Sequence, residues 1–199
     1  MTAFKTPNAL TPKAAPFAIR AERTSDVVAR EALLDACFGE NRHMRTCQRL
    51  RDGRAPAEGL AFSAVVRGRL VGTVRLWHVS AGGIPALVLG PLAVESCYRK
   101  LGIGAALMDH ALAAARARGH RAVLLLGDAP YYERFGFSAD KARELSLPGT
   151  FERERLLGLE FVAGALDGAW GMIVATGASL PKRKAVRTKK PLRAAAAVA

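Results

Sequence analysis

Short apolar runs with the spacing of strands recur along the chain. Residues 60–67 and 70–79 alternate apolar with polar positions or are rich in β-branched side chains, and Gly68 lies between them. This arrangement predicts an antiparallel hairpin with a glycine turn. Residues 17–21 and 121–127 are similar runs, and we expect them to form further strands.

Two longer stretches have the spacing of helices instead. Ser25 and Asp26 precede apolar residues that recur at helical spacing up to Phe38, which predicts a helix that begins at these polar residues. The alanine-rich stretch that ends at Gly119 predicts a second helix with one face packed on a sheet. That face consists of Ile103, Leu107, Ala111 and Ala115. Two further helices are predicted, a charged one over residues 43–51 and a short one over residues 129–135.

These strands and helices predict an α/β protein with a single domain over residues 17–178. Residues 1–16 hold three prolines and no periodicity, which predicts a disordered N-terminal arm. Residues 179–199 are rich first in lysine and arginine and then in alanine, which predicts a disordered tail.

A glycine-bearing turn between an apolar run and a helix is the most informative stretch for function. The run ends at Val94, and Arg99, Lys100, Gly102 and Gly104 follow before the alanine-rich helix. Unpartnered N–H groups at a helix start favour anions, glycines permit close approach, and the two cations add charge for phosphate. The turn lacks the Gly-Lys-Ser/Thr of a Walker loop and the third glycine of a dinucleotide fingerprint. Another kind of phosphate cradle, or a plain tight turn, is therefore the expectation.

Two motifs in this part of the chain resemble those of a known family. Residues 99–104 resemble the Arg/Gln-x-x-Gly-x-Gly/Ala signature of the GNAT superfamily of N-acetyltransferases. Residues 132–137 resemble the Tyr-x-x-x-Gly-Phe segment of the same family. The likeness covers roughly residues 17–178 and extends to a bacterial subgroup of predicted acetyltransferases. It implies the GNAT fold, whose mostly antiparallel central sheet splays between its fourth and fifth strands and is flanked by helices.

The resemblance also implies that acetyl-CoA is the co-substrate and that no metal takes part. In the family, the pantetheine arm pairs with the exposed backbone of the fourth strand like an added strand. Leu92 and Val94 would supply those backbone groups, and the glycine turn would hold the phosphates. The residues expected to bind acetyl-CoA are Leu92, Ala93, Val94, Arg99, Lys100, Leu101, Gly102, Ile103, Gly104 and Ala105.

Gly90 and Pro91 interrupt the strand expected over residues 85–94. Proline donates no hydrogen bond to a neighbouring strand, so the pair predicts a bulge or a splayed edge. The diverging fourth strand of the family is one explanation, and an edge strand with a proline kink is the other.

Tyr132 is the candidate general acid. It matches the family tyrosine that protonates the thiolate of coenzyme A, and a phenol has a suitable acidity for that step. The alternatives are that Tyr132 is a core aromatic on a short helix, or that its role belongs to Tyr131.

The general base is less evident, because residues 84–94 contain no ionisable side chain where many relatives place a carboxylate or histidine. The candidates are Glu40, His78, Glu95 and Asp128. Asp128 follows the fifth strand of the family order and could act through a water molecule. Alternatively, Asp128 is a helix N-cap, or water chains replace a protein base.

The distribution of charge and the spacing of the cysteines indicate which partners the protein could bind and in which cellular compartment it would be found. The net charge is +13, and seven cations lie between residues 182 and 193 without an acid among them. Such a run could bind the phosphate backbone of a nucleic acid, although no aromatic residue within it could stack on bases. The three cysteines lack CxxC spacing, which suits a reducing cytoplasm and argues against structural zinc. No apolar segment has the pattern of a membrane span.

Two functions from different classes follow. The first is an acetyl-CoA-dependent N-acetyltransferase, a monomer or homodimer, that acts on a primary amine of a small molecule, peptide or protein by direct attack in a ternary complex. The second is a binding protein, either a non-catalytic acyl-CoA sensor or a nucleic-acid-associated protein that uses the basic tail.

Overall fold

The structure is a computed structural model that describes residues 17–181. The strands are β1 (Ala18–Ala21), β2 (Ala61–Val66), β3 (Arg69–Ala81), β4 (Ile84–Leu89), β5 (Ala93–Val94), β6 (Ala122–Leu126), β7 (Leu145–Ser146), β8 (Leu156–Glu160) and β9 (Gly171–Ala175). The α-helices are α1 (Val27–Phe38), α2 (Ile103–Ala117) and α3 (Ala129–Tyr132). The predicted arm over residues 1–16 and residues 182–199 of the predicted tail lie outside the described residues.

The strands form one mixed sheet. Its main path runs β1-β2-β3-β4-β6-β8, and on this path the β4–β6 pair is parallel while the others are antiparallel. The predicted hairpin joins β2 to β3 through Arg67 and Gly68, both of which have positive φ, as a two-residue hairpin turn requires. The expected α/β fold, with a mostly antiparallel sheet flanked by helices, is confirmed.

The strand expected over residues 85–94 is broken where Gly90 and Pro91 stand. β4 ends at Leu89, and β5 pairs with β3 instead of continuing beside β6. β4 and β6 are in register at Leu87 with Val123 and at Val88 with Leu124. Beyond these two pairs a cleft separates residues 89–92 from residues 125–128. The predicted splay of the sheet is therefore present at this point.

Helix α2 is held tightly against the sheet. The four residues of its predicted apolar face, Ile103, Leu107, Ala111 and Ala115, are fully buried. In β3, a Cβ atom at Gly72 would lie 3.0 Å from Cδ1 of Leu107 and 3.1 Å from Cγ2 of Ile103. Glycine at this position lets the helix approach the strand closely, which fixes the start of α2 relative to the sheet.

A partly buried ion pair ties the start of α1 to the edge of the sheet. The guanidinium of Arg20 in β1 donates two hydrogen bonds to the Asp26 carboxylate, at 2.6 and 2.8 Å. The backbone N–H of Arg23 and the hydroxyl of Ser63 in β2 donate to the same carboxylate at 2.9 and 3.0 Å. These donors, with Arg20 foremost, hold the pKa of Asp26 well below its usual range.

The helix predicted over residues 43–51 is wrong. Two 3-10 helices, Glu40–Met44 and Thr46–Leu50, are separated by an extended residue, Arg45. Side chains of this segment bond to a distant loop, because the Thr46 hydroxyl donates to the Thr150 carbonyl at 2.5 Å and Arg49 donates to the Pro148 carbonyl at 2.6 Å. These bonds tie the segment to the loop at residues 148–150, and such tertiary contacts override a local tendency to form a regular helix.

Candidate functional site

Two clefts meet where the sheet splays. The first, named the loop cavity, has a volume of about 550 Å³ and is lined by Cys37, Phe38, Leu92, Ala93, Val94, Arg99, Lys100, Gly102, Gly104, Ala105, Tyr131 and Arg134. The second, named the gap cleft, has a volume of about 630 Å³ and is lined by Leu34, Phe38, Arg42, Arg51, Tyr132, Arg155 and residues 44–48, 89–92, 125–128 and 150–152. Phe38 and Leu92 line both, so a ligand in the loop cavity reaches the gap cleft beside them.

The start of α2 supplies backbone donors to the loop cavity. The first intrahelical bond runs from Ala106 to the carbonyl of Gly102, so the three preceding N–H groups, of residues 103–105, have no partner within the helix. Gly102 has φ 75° and ψ 5°, a left-handed conformation that favours glycine and turns the chain into the helix. These N–H groups and the helix dipole make this end of the cavity an anion site.

Glycine at position 104 keeps the cavity open. A Cβ atom there would lie 3.0 Å from the Tyr131 hydroxyl and 3.7 Å from Cγ2 of Val94. A larger side chain would project into the space that a phosphate needs. The arrangement therefore fits a pyrophosphate group such as that of coenzyme A.

Three cations line the loop cavity. Arg99 and Lys100 do so as the sequence predicts. Arg134 was not predicted; its guanidinium lies 4.1 Å from the centre of the Tyr131 ring. The sequence signal that could have identified Arg134 is its position as a cation inside the Tyr-x-x-x-Gly-Phe segment. Of the other predicted cofactor residues, Leu101 is exposed and Ile103 is buried in the core, and neither side chain lines the cavity.

The short strand β5 presents one open edge. Glu95 donates its N–H to Val71 of β3, and Ala93 lies opposite Thr73. Because successive residues of a strand direct their backbone groups to opposite edges, those of Leu92 and Val94 point away from β3. The Val94 carbonyl is contacted on that side by the Arg99 guanidinium at 3.4 Å. Cys37 Sγ also contacts this carbonyl, at 3.5 Å. The pairing of Leu92 and Val94 with pantetheine at this edge stays a prediction.

The neighbouring tyrosines face different clefts. Tyr131 lines the loop cavity, whereas Tyr132 lines the gap cleft together with Leu92. Burial, reinforced by nearby Tyr131 and Asp128, raises the pKa of Tyr132 to about 12, so its hydroxyl stays protonated at neutral pH. A Cβ atom at Gly127 would overlap the Tyr132 ring, so Gly127 makes room for that ring. Nothing in the sequence identified Gly127.

Asp128 lies in the gap cleft, and its side chain is 78% exposed. Its carboxylate pairs with Arg155 at 3.1 Å. Asp128 occupies the N-cap position of α3, but its side chain makes no capping hydrogen bond. The Asp128 carboxylate is therefore exposed at the cleft while it is paired with Arg155, and Glu152 is a second carboxylate there.

The three other candidate bases lie outside both clefts. Glu95 pairs with Arg69. His78 lies on β3, and its ring is 5.4 Å from the ring of His120. Glu40 is exposed on a 3-10 helix. Among residues 17–181, no group of three or more His, Cys, Asp or Glu side chains is placed to hold a metal ion. Over the same range, no helix is long and apolar enough to cross a membrane.

Comparisons with known proteins agree with this geometry. Residues 57–139 match the family model of the acetyltransferase (GNAT) domain. The chain is 30% identical over 162 residues to the uncharacterized N-acetyltransferase YhbS of Escherichia coli K12, spanning 78% of this chain and 93% of the relative.

Two solved structures are also similar. The crystal structure of E. coli YhbS in complex with CoA has a TM-score of 0.69 and 28% identity, and the match covers 84% of this chain and 93% of that one. A GNAT family acetyltransferase from Brucella melitensis, in complex with acetyl-CoA, has a TM-score of 0.62 and 26% identity, with 81% and 97% covered. From its motifs, its splayed sheet and these likenesses, the chain belongs to the GNAT family of N-acetyltransferases.

Proposed function

We propose that the protein transfers the acetyl group of acetyl-CoA to a primary amine of a small molecule, peptide or protein, by direct attack in a ternary complex. The observation that carries this proposal is the meeting of the loop cavity and the gap cleft at Phe38 and Leu92, with Tyr132 lining the second. The relatives that were solved with CoA or acetyl-CoA support acetyl-CoA as the occupant of the loop cavity.

Each part of the loop cavity has a role in holding the co-substrate. Arg99, Lys100 and the N–H groups of residues 103–105 bind the pyrophosphate, with Arg134 as an added cation. The backbone groups of Leu92 and Val94 align the pantetheine arm along the open edge of β5. When bound, acetyl-CoA supplies the reactive thioester.

The gap cleft supplies proton transfer. A lysine-like amine has a pKa of about 10.4, so forming its neutral state at pH 7 costs about 4–5 kcal/mol. Asp128, through a water molecule, accepts the proton that the amine loses as its nitrogen bonds to the acetyl carbon and the carbon–sulfur bond breaks. Tyr132, whose hydroxyl is protonated at neutral pH, gives its hydroxyl proton to the departing thiolate and regains one from solvent.

Calorimetric titration of acetyl-CoA tests the first half of the proposal. We expect micromolar binding to the wild-type protein and none to Gly104→Glu, because the new carboxylate fills the cavity and repels phosphate. Ala113→Glu, an exposed change on the same helix, should bind like wild type. Failure of the wild type to bind acetyl-CoA would contradict the proposal.

A screen of amines tests the second half. Release of the thiol of CoA and mass spectrometry of the acetylated product should identify acceptors. A protein that binds acetyl-CoA and acetylates no amine would instead be the non-catalytic sensor.

A further inference from the structure

Arg51 is an arginine with an incomplete set of partners at the wall of the gap cleft. Its Nε donates to the Cys47 carbonyl at 3.1 Å, which anchors the guanidinium against its own segment. Its Nη1 atom faces Gly90, where a Cβ atom would lie 3.8 Å away. Among residues 17–181, no carboxylate lies within 4 Å of this guanidinium.

Burial makes this charge costly to hold. Arg51 is half-buried, and burial lowers the pKa of its guanidinium from the usual value, although arginine remains charged at pH 7. The nearby Cys47 does not compensate it, because burial raises the pKa of that thiol and keeps it neutral. The half-buried guanidinium retains unpaired N–H groups at the cleft wall, so an anion that binds there forms charge-assisted hydrogen bonds with it.

Two other arginines of the cleft are already neutralised. Arg42 pairs with Glu31 at 2.5 Å and with Asp35 at 2.6 Å. Arg155 pairs with Asp128 at 3.1 Å, and Glu152 lies 3.8 Å from the same guanidinium. The carboxylates that line the cleft are therefore engaged with Arg155, and the adjacent Asp52, which accepts a hydrogen bond from Gln48, acts on Arg51 only at longer range.

Arg45 adds a second cation without a carboxylate partner among the described residues. Its guanidinium lies over the Phe38 ring, 5.1 Å from the ring centre, and donates to the Phe38 carbonyl at 3.3 Å. Phe38 lines the junction of the two clefts, so this cation lies close to where they meet. The proposed phosphate sites of acetyl-CoA use other cations, in the loop cavity.

We propose that the acceptor is an amine that carries an anionic group, a carboxylate or a phosphate monoester, which binds Arg51 with Arg45 in support. This inference rests on the proposed function and specifies its substrate class. The planar fork of a guanidinium suits either anion, since both accept two parallel hydrogen bonds. The amine would then extend from the Arg51 wall toward Leu92.

Matched amine pairs provide the test. 6-Aminohexanoate is compared with hexylamine, and O-phosphoethanolamine with ethanolamine, so that the two pairs distinguish a carboxylate from a phosphate. Each is titrated calorimetrically into the wild-type protein with and without CoA and is also assayed for acetyl transfer. We expect at least one charged member to bind and react roughly 10-fold or more better than its neutral partner.

Variants assign the effect to the arginines. Arg51→Met should remove that preference, and Arg45→Met should reduce it, while Arg121→Met, an exposed change outside both clefts, should preserve it. Acetyl-CoA affinity and Tm are measured for each variant, so that loss of folding is recognised directly.

The outcomes separate the two proposals. The anionic acceptor would be overturned if the neutral amines bound and reacted as well as both charged ones. It would also be overturned if the preference for the charged amine survived in Arg51→Met. Either result would leave the proposal of acetyl transfer intact. Charged probes that bind through Arg51 in a protein that does not bind acetyl-CoA would support the anion site and contradict the transferase.

Discussion

Adjacent residues have different roles in this site. Tyr131 and Tyr132 follow one another on the short helix α3, yet they line different clefts. Tyr131 places its hydroxyl near Gly104 and so borders the proposed phosphate site. Tyr132 lies where the sheet splays, with its ring over Gly127. A swap of their roles, which the sequence left open, is not what this geometry favours.

The kinetic effects of the two tyrosines should therefore differ. We expect Tyr132→Phe to lower kcat about 100-fold, because a general acid contributes at least this much, while the KM for acetyl-CoA changes little. Tyr131→Phe should mainly affect the KM for acetyl-CoA. Because the pKa of Tyr132 is about 12, ionisation of its hydroxyl should not reduce the rate between pH 7 and 10. Undiminished kcat in Tyr132→Phe would remove it as the acid.

At the scale of elements, the sequence predicts most accurately where one periodic pattern decides the structure. The four residues of the α2 face are spaced four apart and all are buried, and Gly90 with Pro91 marks the break between β4 and β5. The glycine turn likewise predicts the start of α2. In each case a short stretch of consecutive residues is sufficient to predict the element.

The gap cleft was harder to predict because distant segments build it. Arg45 and Arg51 flank the 3-10 helix Thr46–Leu50, which is held by bonds from Thr46 and Arg49 to a loop about a hundred positions further along the chain. Periodicity carries no information on such contacts. The same holds for Gly127, whose importance lies in the ring that packs over it.

The elements at the edge of the sheet depend on pH through Asp26. Its pKa is lowered in the folded state, so its contribution to stability is fully present above the unfolded value of about 3.9 and is lost as pH falls below it. Asp26→Asn should lower the free energy of unfolding at pH 7 by about 1–3 kcal/mol, because the Arg20 guanidinium loses its charged partner.

Denaturant unfolding across pH checks this prediction. The difference between wild type and Asp26→Asn should shrink as pH falls from about 5 toward 2. Asp109→Asn, an exposed change on α2, serves as the control and should have little effect. A difference that stays constant with pH would show that the ionised carboxylate is not what stabilises this edge.

At the scale of the whole molecule, charge is distributed unevenly. Removing residues 182–199 removes seven cations and changes the net charge from +13 to +6. Truncation should begin after Pro181, because Ser179 bridges Arg54 and the Leu180 N–H donates to the Gly53 carbonyl at 2.8 Å. Neither cleft is lined by a residue near this end of the described chain.

The truncated protein should transfer acetyl groups at the wild-type rate. Any binding of DNA by the full chain should weaken steeply with salt and be lost on truncation, because phosphate contacts by lysine and arginine release counterions. Activity assays and fluorescence anisotropy at several salt concentrations measure both. DNA binding that persists after truncation would place that surface on the domain itself.

The two clefts share Phe38 and Leu92, and each is partly open to solvent. A compound that fills the gap cleft alone would leave the entrance to the loop cavity clear. It would therefore compete with the acceptor, and its overlap with acetyl-CoA would be confined to the acetyl end beside Leu92. Inhibitors selected for the gap cleft would depend on Arg45 and Arg51 for recognition, and so would distinguish this protein from relatives that share only the glycine turn.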